Sequence, residues 1–348
     1  MADKQSSSQK KGTPRVPASQ QGSGKDRGPR PAAGKGKGGG GYSGGYRPPG
    51  NSSRVYFIAS AWTVVAAVLV VVIVLVVLKV TSSTTSTPPK KGIAASSRPA
   101  PASLVNKVTH IPQATFNAVG ISGDASQSLP ISGPIPIKGQ PPLVVNGKPA
   151  VVYIGAEYCP FCAAERWPMV IALSRFGTFS NLRITHSGMH DVFAGTKTFS
   201  FYKSTYTSPY LVFEPVETYT NQPSPNSPTG YLPLQAPTSQ QNALISKYDG
   251  PPYTGPASSS NTGGAIPFID LGNRFIVSGA SYTPSVLSGY SRNSIASELY
   301  HPSSILAKLV DGSANYLTAA ICVITHNQPA NVCSLPVIIK AKKALGAG

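Results

Sequence analysis

Residues 146–182 read NGKPAVVYIGAEYCPFCAAERWPMVIALSRFGTFSNL, and this stretch decides the fold. Ala150 to Ala156 is an unbroken apolar run of strand length, as expected for a strand covered on both faces. After Cys159 the apolar positions Trp167, Val170, Leu173 and Phe176 follow helical spacing, and Gly177 stops them. A strand that runs into Cys-Pro-Phe-Cys at a helix start is the arrangement thiol chemistry requires. Cys159 at the cap points its sulfur at N–H groups without an intrahelical partner and at the positive end of the helix dipole, which lowers its pKa and favours the thiolate. Pro160 suits the first helical position, where no N–H is needed. Cys162, three residues on, lies one turn along and can attack a mixed disulfide made by Cys159.

The run Ala-Glu-Tyr-Cys-Pro-Phe-Cys, residues 156–162, resembles the active motif of the thioredoxin superfamily, in which a small residue, an acid and an aromatic precede the redox pair. Pro168 falls near that superfamily's active-helix kink. With TFSFYKSTYTSPYLVFEPVE at 198–217 and ICVITHNQPANVC at 321–333, the chain is similar over about residues 104–348 to a membrane-anchored thioredoxin-like family catalogued as a domain of unknown function. The resemblance implies an α/β, thioredoxin-like domain with an insertion. It also implies that Cys159 and Cys162 are catalytic, within an environment made by Glu157, Tyr158, Pro160 and Phe161. Superfamily members carry a cis-proline before a strand that faces the redox pair, where the backbone pairs with substrate. Ile266-Pro267, ahead of the strand-like runs to Asp270 and from Arg274 to Ala280, matches that place.

The pattern also departs from the superfamily. Six positions before Cys159, where thioredoxins proper carry a buried Asp, stands Tyr153, so proton handling for Cys162 is expected from Glu157, Glu165 or water. The intervening Pro-Phe lacks the His that stabilises the thiolate of strong oxidants, which points to an intermediate potential between about −270 and −120 mV. Cys322 and Cys333 form a second pair; four cysteines allow three pairings, and local pairing, 159 with 162 and 322 with 333, is the expected one. The 322/333 pair is read as a staple on the last segment, with a relay to the first pair as its alternative. His186 and His190 have metal-like spacing, but their distance from Cys162 exceeds that of ordinary zinc modules, so no metal and no cofactor are expected.

Outside the domain, residues 55–78 hold 24 residues without a charge, about 36 Å as a helix and enough to span a bilayer. Residues 1–54 carry eleven basic side chains against Asp3 and Asp26, half of the chain's net charge of +18. This tail has almost nothing apolar to bury, so it is expected to be disordered, and its charge orients it to the cytoplasm. No cysteine precedes the span and four follow it, as expected for an extracytoplasmic, oxidising location of the C-terminal part. Residues 79–103 read as a Ser/Thr/Pro-rich linker, and ten prolines between Pro209 and Pro256 mark a Pro/Ser-rich insertion at about 209–262.

The expected function is a single-pass, membrane-tethered thiol-disulfide oxidoreductase. Its partners would be protein thiols and disulfides, membrane lipid around residues 55–78 and a membrane redox partner, with nucleic acid not expected. The competing reading is a non-catalytic binding module that presents tyrosines of the insertion (Tyr206, Tyr210, Tyr219, Tyr231, Tyr248, Tyr253).

Overall fold

The computed structural model describes residues 96–124, 128–254 and 264–347. The basic tail, the apolar stretch 55–78 and the linker up to residue 95 lie outside the described residues. Among those described, no helix is long and apolar enough to cross a membrane.

The described chain starts with a short strand, β1 (Arg98–Pro99), and two helices, α1 (Ala102–Thr109) and α2 (Gln113–Val119). After β2 (Ile135–Pro136) and β3 (Val144–Val145), Asn146-Gly147 turns the chain with positive φ at both residues, as the type I′ hairpin loop requires. Next come β4 (Lys148–Gly155) and α3 (Pro160–Ser174). The strands β5 (Thr178–Ser180), β6 (Arg183–His186), β7 (Lys197–Ser200) and β8 (Thr205–Thr207) form two small antiparallel sheets, β1-β6-β7 and β5-β8. They are followed by β9 (Val212–Glu217), the hairpin of β10 (Tyr219–Pro223) and β11 (Tyr231–Pro233), and α4 (Ser239–Tyr248). A second hairpin, β12 (Phe268–Leu271) and β13 (Phe275–Ser278), leads to α5 (Arg292–Glu298). A π-helical turn at Ala307–Asp311 then runs into α6 (Gly312–Ile324), α7 (Ala330–Cys333) and α8 (Pro336–Ala344).

The central sheet is mixed. β4 lies between β9, parallel to it with Tyr153 opposite Pro215, and β12, antiparallel to it with Ile269 opposite Tyr153. β13 and β2 extend the β12 side by antiparallel pairing. Alternation along β4 divides its side chains: Val151 and Tyr153 join the larger core with α3 and α6, while Ala150, Val152 and Ile154 pack with Leu244 and Tyr248 of α4. A strand so covered needs the continuous apolar sequence seen here.

α3 is buried almost all round, from Cys162 through Leu173, which explains its weak amphipathic pattern. It packs against α6, α1 and β7, and β7 fixes it through Trp167 Nε1 donating to the Lys197 carbonyl (3.0 Å) and Thr198 Oγ1 donating to the Ala163 carbonyl (2.7 Å). Fully burying a side chain of the Trp167 or Phe199 class stabilises by about 1.5–3 kcal/mol.

Two boundaries differ from the sequence reading. The folded unit includes residues assigned to the linker, because β1 pairs with β6 and the Ser97 hydroxyl accepts from Arg183 Nε (2.9 Å); two residues offer no periodicity to read. The stretch 209–262 begins with β9, a strand of the central sheet, so its first part is sheet rather than insertion. Pro215 tolerates this position on an outer strand of the sheet, where its missing N–H leaves no bond unmade.

Candidate active site

β4 ends at Gly155 beneath the start of α3, and the connecting residues are tied down from both sides. The Glu157 N–H donates to the Tyr219 carbonyl (2.9 Å), the Thr218 N–H to the Gly155 carbonyl (2.7 Å) and the Gly188 N–H to the Tyr158 carbonyl (2.6 Å). Cys159 is the N-cap of α3, Pro160 occupies the first turn, and the Cys162 N–H donates to Cys159 Sγ (3.2 Å). Cys159 and Cys162 are free thiols, in a cluster with Ala156 against which Tyr158, Tyr219 and Ile266 pack. The Cys159 thiol reaches the Ile266 carbonyl (3.6 Å), and the Ile266-Pro267 bond is cis. Cys162 is fully buried and Cys159 is 5% exposed.

Burial pushes the Cys159 thiol up, but hydrogen bonds from the Cys162 thiol and N–H, the positive charge of Arg166 and the Phe161 N–H outweigh it, and the net direction is down. Cys162 moves the other way: burial, its hydrogen bond to Cys159 and that neighbour's charge all hold it well above an ordinary thiol. The two thiols are thus driven apart, Cys159 towards the thiolate and Cys162 towards the neutral thiol.

The environment residues take distinct positions. Tyr158 stacks on Tyr231 (4.3 Å between centroids, 4° between planes) and meets Tyr219 edge-on, while the Tyr231 hydroxyl donates to Asp191 Oδ2 (2.7 Å). Phe161, between the cysteines, is 39% exposed and meets Phe193 edge-on at 6.1 Å. Phe193 (37% exposed) belongs to a loop that also exposes Met189 (58%) and Val192 (65%). Two carboxylates expected to serve Cys162 are engaged elsewhere. Glu157 accepts from Ser200 Oγ (2.6 Å) and from Ser96 Oγ, and Glu165 accepts from the Ser281 N–H (2.8 Å) and hydroxyl (3.0 Å).

Of the two expected local pairings the structure shows one: Cys322 and Cys333 form a disulfide that joins α6 to α7, while Cys159 and Cys162 are unbonded. His186 lies at the end of β6, its Nδ1 2.8 Å from the Ser187 carbonyl oxygen, and no group of three or more His, Cys, Asp and Glu able to hold a metal occurs among the described residues. The tyrosines proposed as a binding surface are packed down: Tyr248 is buried against Tyr253, and Tyr206 packs on Phe179 and Phe213 with its hydroxyl on the Leu173 carbonyl (2.8 Å).

Sequence reading missed Arg166 and Glu217. Arg166 follows Cys162 by four positions and so shares its helix face. Fully buried, it donates through Nε and Nη2 to the two Glu217 oxygens (2.9 and 2.6 Å) and through Nη2 to the Ala156 carbonyl (2.6 Å). A charged residue amid the apolar residues of α3 was the available signal; its partner, 51 residues away, left none.

No curated protein and no solved structure matches the chain. Residues 138–323, more than half of it and including the Cys159–Cys162 site, match a family described as a domain of unknown function, DUF929, and the chain belongs to that family.

Proposed function

We propose that the protein is a thiol-disulfide oxidoreductase with a thioredoxin-like domain, tethered by residues 55–78 to a membrane and acting on protein substrates on its extracytoplasmic side. The carrying observation is the pair itself, with Cys159 capping α3, Cys162 donating to its sulfur (3.2 Å) and the cis Ile266-Pro267 bond alongside. The thioredoxin-like reading is further supported by the β4-α3-β9 crossover, the antiparallel β12-β13 hairpin after the cis-proline, and α6 packed on α3. The exposed apolar side chains of Phe161 and Phe193 favour a polypeptide over a small polar thiol as partner.

In the reducing direction the Cys159 thiolate attacks one sulfur of a substrate disulfide. A bond forms between Cys159 and substrate, the substrate S–S bond breaks, and the departing thiolate takes a proton. Cys162 then gives up its proton and attacks Cys159 Sγ, forming the Cys159–Cys162 disulfide and releasing the second substrate thiol. Two electrons and two protons pass to the substrate. The oxidising direction reverses each step, and a second dithiol/disulfide couple at the membrane resets the pair.

With Cys162→Ser the resolving step is lost, so mixed disulfides between Cys159 and envelope proteins accumulate and appear on non-reducing gels. Their absence, or equal trapping by Cys159→Ser, would overturn the proposal. A specific observation favours the second reading, a binding module with inert thiols: Cys159 is only 5% exposed. That reading requires Cys159 to resist alkylation in the reduced protein.

A further inference from the structure

The buried ion pair behind the cysteines has no role in the exchange steps above, yet it is built into the site. Arg166 is anchored at three points, two on Glu217 and one on the Ala156 carbonyl. That carbonyl also accepts the Cys159 N–H (3.3 Å), so the guanidinium and the nucleophile's own amide meet at one atom. Arg166 Nη1 has no hydrogen-bond partner among the described residues, although the group is fully buried. Its other neighbours do not neutralise it. The Tyr153 ring lies 5.9 Å from the guanidinium carbon, and the buried Glu157 spends its hydrogen bonds on Ser200 and Ser96. Glu217 is held in turn by the Phe201 N–H (3.1 Å), so the pair is fixed from the strand side as well.

A buried pair with no task is a poor stabiliser, because desolvation offsets most of the attraction. A task is available. In a dry interior, a cation on the helix face of Cys162 favours negative charge at the sulfurs. We propose that Arg166 is a positioning residue for the cysteine pair: its charge, held beside the motif by Ala156 and Glu217, stabilises the thiolate form, and Glu217 limits how much of that charge the sulfurs feel. The inference rests on the redox reading of Cys159 and Cys162, but it concerns thiol ionisation and not turnover.

The test follows the rate of Cys159 alkylation against pH in the reduced full-length chain, read by peptide mass spectrometry. Two variants are compared with wild type. Glu217→Gln keeps the shape and an acceptor but removes the opposing charge. The double variant Arg166→Met/Glu217→Gln removes both charges and leaves neither buried alone. The proposal predicts opposite signs at pH 7, with Glu217→Gln alkylating at least about twofold faster and the double variant about tenfold slower, following their thiolate fractions. The glutathione equilibrium moves in parallel, to a more oxidising pair in the first and a more reducing one in the second, about 30 mV per tenfold change. Equal rates in all three proteins, or a shift of the same sign in both variants, would overturn it. Should one variant not fold, the sign in the other decides: faster alkylation in Glu217→Gln or slower alkylation in the double variant supports the proposal, and no shift or the opposite sign overturns it. Trapping by Cys162→Ser is scored separately, so an active pair with the wrong electrostatics and an inert pair with the right ones give different results.

Discussion

Tyr153 and Gly155 share one face of β4, and a Cβ at residue 155 would overlap the Tyr153 hydroxyl. Gly155 is therefore required by a close approach, although its φ is ordinary. Gly155→Ala should cost about 1–3 kcal/mol in urea unfolding, as overpacked sites do, and Tyr153→Phe in the same chain should recover only part of it, because the ring carbon Cζ would still lie 2.6 Å from the added Cβ. The Tyr153 hydroxyl is buried without a hydrogen-bond partner among the described residues, so Tyr153→Phe alone should be neutral or stabilise by about 1 kcal/mol. A loss of stability in Tyr153→Phe would show that the hydroxyl has a partner that this account lacks. At this scale the sequence was legible where chemistry and local geometry coincide. Cys159, Pro160 and Cys162 could be read as a capped helix start because all three constraints act within one turn. Arg166 and Glu217 could not be paired, because only the parallel alignment of β4 and β9 brings a residue of α3 to one at the end of β9.

The elements carry their own consequences, and α3 carries the clearest. Burial raises the pKa of Glu165 to about 7 against the hydrogen bonds from Ser281, which pull it down. An acid whose folded pKa lies above its unfolded value of 4.5 binds the extra proton in the native state. Its contribution is full below about pH 4.5 and is lost as pH rises to about 7, roughly 3 kcal/mol over that window. Asp270 on β12, raised by burial to about 6, adds a smaller slope of the same sign. Unfolding free energies at pH 5 and pH 7.5 should fall with pH in wild type and much less in Glu165→Gln; parallel curves would refute the assignment. Further along, the Cys322–Cys333 bond closes a short loop between α6 and α7. Replacing both cysteines by Ala should cost about 3 kcal/mol in denaturant and leave the rate at which Cys159/Cys162 exchanges with its redox partners unchanged, whereas loss of a relay would slow that rate. The elements with strong local signals emerge close to their sequence-read limits: β4 is Lys148–Gly155 where the apolar run is Ala150 to Ala156, and α3 is Pro160–Ser174 between Cys159 and Gly177. β9 was obscured because Pro215 and the prolines that follow it dominate the composition of a strand whose pairing is set by tertiary contact.

For the whole molecule, the central sheet with helices on both faces leaves the Cys159 site at the end of β4, bordered by the loop that carries Met189, Val192 and Phe193. The mixed α/β class followed from the resemblance carried by the strand, the Cys159–Cys162 motif and the helix after it. The two small side sheets did not, since strands of two to four residues are too short to show a period. The proposed tether gives its own prediction: the full chain should remain with membranes after alkaline extraction, and deletion of residues 55–78 should release it. The central claim, that Cys159 and Cys162 are a redox pair, is tested most directly by their equilibrium reduction potential, measured in the full-length chain against glutathione by alkylation and peptide mapping. The account predicts a value between about −270 and −120 mV; a value below about −300 mV would mark the pair as a structural disulfide and contradict it.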